Sequence, residues 1–473
     1  LSLKFENEQM YYLVYFLTFY YFFLGVLLFK RYKLDYLDPL LLFLISSFAI
    51  SIITSLKFVI YEQVFTIESF VFFFSCVNAY VIGALVKVKK GRRVLRSTLN
   101  SRNFVNFLSF LSIGFVILSL ADILQKGLSF DQGLNELRAI FFNEIDGAKE
   151  LGILAILKGV CKSVAILYTT LISLFKTHKR RVHFYIALCT LLVLFVDTAL
   201  QGGRTFFVYS IVLIFISYNN LKIVEGLKNP LLKNAKHIFR FSIIGVLIFV
   251  SLFGVFPAMR NPNLVAAVNT FVNIHHSNAK VSDKIVSFVD KYPHSNGLLA
   301  LSFGSTYFSA PLVKFNYYYE ELKVQTWGGH GSYNFPIFEK IFTLSNKEHF
   351  RLREEIKTIS IIDGNDSNPW ATAFRDFSID FGVFGAIIVS FFSGVLIRRS
   401  YNLFLRKSDT FSLILVSLTS FCSFIIPFYS PFIVLGQSLL IFLLLHFGFK
   451  IWLEFVSYVL GEEKQDLDKL DPF

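Results

Sequence analysis

Long apolar runs separated by short polar connections dominate the chain. A helix needs about 20 apolar residues to cross roughly 30 Å of hydrocarbon. Runs near 10–29, 38–56, 66–86, 104–124, 151–175, 182–200, 206–220, 241–257, 377–397, 410–428 and 432–453 predict about eleven spans. The seventh is short, so it either begins at the Gly202-Gly203 pair or continues toward Val224. One long polar stretch, 258–372, interrupts the series. The organisation expected is therefore 1–257 with spans one to eight, 258–372 as a loop domain, and 373–473 with spans nine to eleven and a polar tail. Within the loop, Val281–Val289 and Pro336–Leu344 have helical apolar spacing, which predicts short helices lying on the membrane surface or packed on each other. No internal repeat is visible.

Composition strengthens this reading. Of 473 residues, 54% are hydrophobic and 17% charged, against about 25% charged in an ordinary globular domain; the mean hydropathy is +0.58. Too few polar side chains are present to clothe several water-facing domains, and 58 Phe and 22 Tyr need a bilayer or a large core to absorb them. The fold class is an all-α polytopic membrane protein, and a cytosolic enzyme is excluded. The first apolar run lacks a basic leader and a small-residue cleavage site, which predicts a retained segment. All four cysteines, Cys76, Cys161, Cys189 and Cys422, fall in apolar runs, so neither a disulfide framework nor metal-ligand spacing is expected.

The net charge of +13 changes the picture only through its location. Cations crowd one set of connections: Lys30, Arg31 and Lys33; the run from Lys87 to Arg102; Lys176, Lys179, Arg180 and Arg181; Lys222 to Arg240; and Arg398, Arg399, Arg406 and Lys407. The opposite short loops hold few. That side is therefore expected to be cytoplasmic, with the N-terminus outside, the C-terminus inside and the 258–372 loop on the outer face. Arg92 and its neighbours read as a stop-transfer, phospholipid-facing cluster and not as a nucleic-acid site.

Candidate chemistry gathers near the outer face. Gly202 and Gly203 permit a tight turn and close approach of a ligand. Arg204 and the start of the next helix add positive charge there, a plausible phosphate site; the alternatives are pairing of Arg204 with Asp197 or snorkelling to headgroups. Arg260, at the base of the large loop, offers a second guanidinium for a diphosphate, or else an interfacial anchor. Lys158 and Lys162 share one helix face within the fifth span, facing a cavity or pairing with Asp122 or Glu150. His330 sits between glycines, with Trp327 and Tyr333 offering stacking faces for sugar rings; it is a general-base candidate or a solvated histidine. The stretch Gly304-Ser-Thr-Tyr-Phe-Ser-Ala-Pro311, which includes Tyr307, leads to Tyr317-Tyr-Tyr-Glu-Glu321, where Glu320 or Glu321 is a fallback base. Span nine opens on Arg375, Asp376 and Asp380, whose carboxylates read as holding Arg375 or Arg204 in place.

The Gly-Gly-Arg-Thr turn, the Gly-Ser-Thr-Tyr-Phe-Ser-Ala-Pro stretch and Arg375-Asp-Phe-Ser-Ile-Asp-Phe-Gly382, in this order, resemble bacterial oligosaccharide repeat-unit polymerases, the Wzy-like O-antigen polymerases, which are related to O-antigen ligases. The resemblance implies a GT-C-type membrane glycosyltransferase of the bacterial inner membrane, independent of metal and cofactor. It implies undecaprenyl-diphosphate-linked glycans as donor and acceptor, with membrane lipids and a chain-length regulator protein as partners. It also implies functional outer-loop arginines, matched by Arg204 and Arg260, and a loop histidine, matched by His330. Lys158, Lys162, Arg375, Gly202, Gly203, Tyr307, Trp327, Tyr333 and Glu320 are the expected substrate contacts. Ligation of finished glycan to lipid A core and transport by a flippase are the competing expectations.

Overall fold

The computed structural model describes residues 2–32, 38–61, 64–86, 102–125, 153–177, 179–200, 205–224, 280–292, 296–322, 372–407, 409–428, 430, 438–444 and 446–448. About 90% of these are helical, and the protein is an all-α membrane protein. In chain order the helices are α1 (Ser2–Tyr32), α2 (Pro39–Ser55), α3 (Ile67–Leu85), α4 (Arg102–Gln125), α5 (Ile153–Thr170), α6 (Ile172–Thr177), α7 (Arg181–Leu200) and α8 (Thr205–Val224), followed by α9 (Asp283–Lys291), α10 (Asn296–Leu322), α11 (Ala373–Lys407) and α12 (Thr410–Ile425). Among the described residues, Tyr11–Arg31, Ile67–Leu85, Phe104–Asp122 and Ala373–Lys407 are long and apolar enough to cross a membrane; α2, α12 and Ser438–Gly448 are shorter apolar helices.

The helices turn large apolar side chains outward and hydroxyls inward. On α4, Phe110, Ile113, Ile117, Leu120 and Leu124 are exposed while Ser109, Ser112 and Ser119 are buried; on α11, Phe384, Ile388, Phe392 and Leu396 are exposed while Ser390 and Ser393 are buried. In water this would be the wrong way round, but in lipid the outer face loses nothing by being apolar and small inner residues let helices approach. Buried hydroxyls return to carbonyls of their own helix: Ser51 to Ser47 (2.9 Å), Ser112 to Leu108 (2.8 Å), Ser390 to Ala386 (2.7 Å) and Ser417 to Leu413 (2.7 Å).

The chain forms two compact units. The first comprises Leu1–Lys90, Pro230–Arg398 and Cys422–Ile433. Here α1 packs on α2, and α10 packs on α2 and α3. Asp38 caps α2, accepting from the Leu40 N–H at 3.0 Å, and Pro39 supplies a preset first turn. The same carboxylate meets Arg398 in a fork, Nη1 to Oδ2 at 2.7 Å and Nη2 to Oδ1 at 2.8 Å, while Arg398 Nε donates to the Ala84 carbonyl at 2.7 Å. Alongside, α3 and α11 touch backbone to backbone at Gly83 and Gly394: a β-carbon on Gly83 would strike the Phe391 carbonyl, and one on Gly394 would strike the Tyr80 carbonyl.

Part of the expected outer loop also belongs to this unit. Val59–Ile60 pairs antiparallel with Lys280–Val281, Val59 opposite Val281. The helix expected at Val281–Val289 appears as α9, with Phe288 exposed. The sequence places residues 296–322 in polar loop, yet they form α10, buried nearly all round from Ser302 to Tyr318. Its small polar residues lower its apparent apolarity while fitting close packing. The second helix expected in the loop, Pro336–Leu344, lies outside the described residues.

The second unit comprises Gly91–Asn229, Arg399–Phe421 and Val434–Phe473, with α4, α5, α7 and α8 packed together. The expected span 151–175 is interrupted at Leu171, between α5 and α6.

Candidate functional site

In the first unit, α10 is tied to the α2–α3 connection by polar bonds that run across its buried face. Tyr61 Oη and Ser309 Oγ lie 2.5 Å apart, and Asn316 Oδ1 accepts from the Thr66 N–H at 2.7 Å and from Ser69 Oγ at 2.5 Å. Thr66 Oγ1 donates to Glu320 Oε1 at 2.7 Å. Burial pushes the Tyr61 phenol well above its ordinary pKa, so it remains neutral. These ties fix the register of α10 and therefore the positions of Lys314 and Tyr318, one turn apart on one helix face.

Tyr318 meets the start of α11. The Arg375 guanidinium lies over its ring, 4.7 Å from the centroid. Arg375 also grips the neighbouring Asp376, Nε to Oδ1 at 2.7 Å and Nη2 to Oδ1 at 2.5 Å, and Asp376 Oδ2 accepts the Ser430 N–H at 3.1 Å. Asp380, one turn further, is close enough to act electrostatically on Asp376. Lys314, Arg375, Asp376 and Asp380 are all buried, Lys314 to 1% exposure. Charges taken out of water persist only when they are compensated, as Arg375 is by Asp376.

Immediately after Asp380 and Phe381 the helix breaks. Gly382 has φ 70° and ψ 177°, a conformation essentially reserved for glycine, which interrupts the hydrogen-bond ladder of α11. Freed backbone groups in a membrane helix are tolerated where they are buried in protein or line a cavity, and such breaks form substrate sites in membrane proteins. Helix break and charge cluster coincide.

The second unit holds another ionic cluster. Lys158 Nζ, on α5, meets Asp122 Oδ2 of α4 at 2.5 Å and Asp197 Oδ1 of α7 at 2.9 Å; Lys162 Nζ, one turn on, meets Asp197 Oδ2 at 2.7 Å. The shared helix face expected of the two lysines is present, and so is the Lys158–Asp122 pair. Asp197, 2% exposed, bridges both ammonium groups. Neither lysine can turn its charge to a diphosphate without abandoning a buried carboxylate. Asp197→Ala is expected to cost about 3 kcal/mol, because it takes a buried carboxylate from both ammonium groups and leaves Lys158 with Asp122, and Lys158→Met less, because Asp197 keeps Lys162. Thermal unfolding in detergent micelles checks the order.

Of the expected site residues, Arg375 lies in the first cluster, Lys158 and Lys162 in the second, and Glu320 is exposed at the end of α10, bonded to Thr66. Tyr307 lies in α10, its side chain outside the described residues, as are Gly202, Gly203, Arg204, Arg260, Trp327, His330 and Tyr333 altogether. Sequence reasoning passed over Lys314. Its signal was an ammonium within the apolar run Pro311-Leu-Val-Lys-Phe315, where an ionisable group marks a partner or a site.

The chain matches no protein-family model, no curated protein and no solved structure.

Proposed function

We propose that the protein is a metal-independent glycosyltransferase of the bacterial inner membrane that polymerises undecaprenyl-diphosphate-linked repeat units of a surface polysaccharide such as O-antigen. In this reading eleven spans place the N-terminus outside and the C-terminus in the cytoplasm, with 258–372 on the outer face. The anomeric carbon of the growing glycan breaks its bond to the diphosphate oxygen and bonds to the non-reducing-end hydroxyl oxygen of a new lipid-linked repeat. The hydroxyl proton passes to His330, and the electron pair leaves with undecaprenyl diphosphate, whose charge Arg204 and Arg260 receive.

The observation that carries the reading is the helix break at Gly382 beside buried Arg375. Arg375-Asp-Phe-Ser-Ile-Asp-Phe-Gly382 is one of the stretches behind the resemblance, and it meets the helix bearing a second, Gly304–Pro311, through Tyr318. Two helices far apart in sequence thus meet where a buried arginine, an aromatic ring and a backbone break lie together, a place suited to a sugar ring carrying a phosphate.

The test is complementation of a deletion strain. Single-repeat glycan outside the deletion strain, polymer restored by the wild-type gene and none restored by Arg204→Ala are the expected results. Arg375→Lys, which keeps charge but loses the planar fork, is expected to lower polymer yield roughly tenfold or more. A broken helix also serves transporters, so lipid-linked repeats trapped inside would assign a flippase instead. Polymer that forms on the carrier but never reaches lipid A core would assign a ligase.

A further inference from the structure

The turn between α6 and α7 ends its helix in an unusual way. The Arg180 N–H donates to the Phe175 carbonyl at 2.9 Å and the Lys179 N–H to the Lys176 carbonyl at 3.3 Å. This is a Schellman closure, whose left-handed position is ordinarily glycine. Here it is Lys179, at φ 54°. A β-carbon disfavours that backbone, and a lysine kept there sets its ammonium beside Lys176 and Arg181.

These three cations line a cavity of about 230 Å³ together with Phe175, Phe184 and Tyr185. No carboxylate stands among its described lining residues, in contrast to the compensated ionic clusters elsewhere. Its inner wall is fixed, because Phe175 is buried and packs on the rings of Tyr168 (5.2 Å) and His183 (5.3 Å). Its rim opens on an exposed apolar stripe of α7, Tyr185, Leu188, Leu192 and Phe195, which runs along about 15 Å of helix. The opposite face of α7 is buried at Ala187, Thr190, Leu194 and Asp197.

We infer that this cavity holds the phosphate of an anionic glycerophospholipid, with an acyl chain along the α7 stripe. Three cations with no carboxylate among the described lining residues call for a phosphate, and the arginine fork suits its oxygens. The apolar stripe that continues from the rim distinguishes a lipid from a soluble phosphate ester. This end of α7 lies on the side expected to be cytoplasmic, where anionic headgroups attract basic segments. The inference is independent of the proposed polymerase reaction.

Thermal unfolding of the purified full chain in dodecyl maltoside tests it, with added phosphatidylglycerol, phosphatidylcholine, glycerol 3-phosphate or inorganic phosphate. Phosphatidylglycerol is expected to raise Tm by several degrees and the others to leave it nearly unchanged. Lys179→Gly suits the left-handed turn better, so it is expected to keep or raise the lipid-free Tm while losing most of the phosphatidylglycerol response. Lys176→Gln with Arg181→Gln is expected to lose the response too. A full response in both variants, or an equal rise with phosphatidylcholine, would overturn the site. An equal rise with either soluble phosphate would overturn its assignment to a lipid.

Discussion

Replacing Arg398 by alanine is expected to cost the protein about 3–5 kcal/mol, enough to remove most folded material, because it takes the guanidinium from both oxygens of a carboxylate buried in the interior. Asp38 is 1% exposed and Arg398 3%, so water cannot take the place of the lost partner. The fork from Nη1 and Nη2 to both carboxylate oxygens is joined by the Nε bond to the Ala84 carbonyl, and alanine forfeits every one of them. Arg398→Lys is expected to fail almost as badly, since a single ammonium cannot span the same acceptors. A double variant, Arg398→Met with Asp38→Ser, supplies the control: it removes both charges and keeps a capping oxygen for α2. Recovery of at least half of the lost stability in the double variant, read from thermal unfolding in micelles, is the expected pattern. A double variant no better than Arg398→Ala would show that the pair is not what holds this region.

Gly394→Val is expected to separate α3 from α11 and to cost roughly 3 kcal/mol or more. The new β-carbon would meet the Tyr80 carbonyl and lie 2.7 Å from the Ala84 nitrogen. Backbone atoms of a second helix cannot swing aside as a side chain would, so the helices must part. That movement also pulls on neighbouring links, including the bond between Tyr80 Oη and Ser423 Oγ and the Arg398 bond to Ala84. Gly25, with nothing within 4 Å of its would-be β-carbon, is the internal control: Gly25→Val is expected to change the unfolding temperature little. Equal tolerance at Gly25 and Gly394 would refute the close crossing.

Much of the helical layout was legible because apolar length is a direct consequence of bilayer thickness. Helices α2, α3 and α7 begin and end within a residue or two of the runs that predict them. What the sequence hid was everything that depends on a partner. Arg398 stands beside Arg399 and reads as one more cation of a cytoplasmic loop, because nothing near it in the chain announces Asp38. Residues 296–322 hid their burial behind serines, threonines and tyrosines; the Ser305 and Ser309 hydroxyls find acceptors in their own helix, and Ser309 also meets Tyr61. The Lys158–Asp122 pair was foreseeable from two ionisable residues in neighbouring spans. The bridging role of Asp197 was not, because its nearest cation in sequence is Arg204. Glycine at 382 could signal a break, but its φ is a property of the fold.

The fork between Asp38 and Arg398 joins residues 360 positions apart. At a translation rate of roughly 5–20 residues per second, the ribosome needs about 20–70 s to supply the arginine after the aspartate has emerged. Throughout that interval the carboxylate at the head of α2 lacks its guanidinium, so the amino-terminal part cannot settle into its final arrangement as it is made. Biogenesis must therefore finish late, with insertion first and locking only when the distant guanidinium arrives.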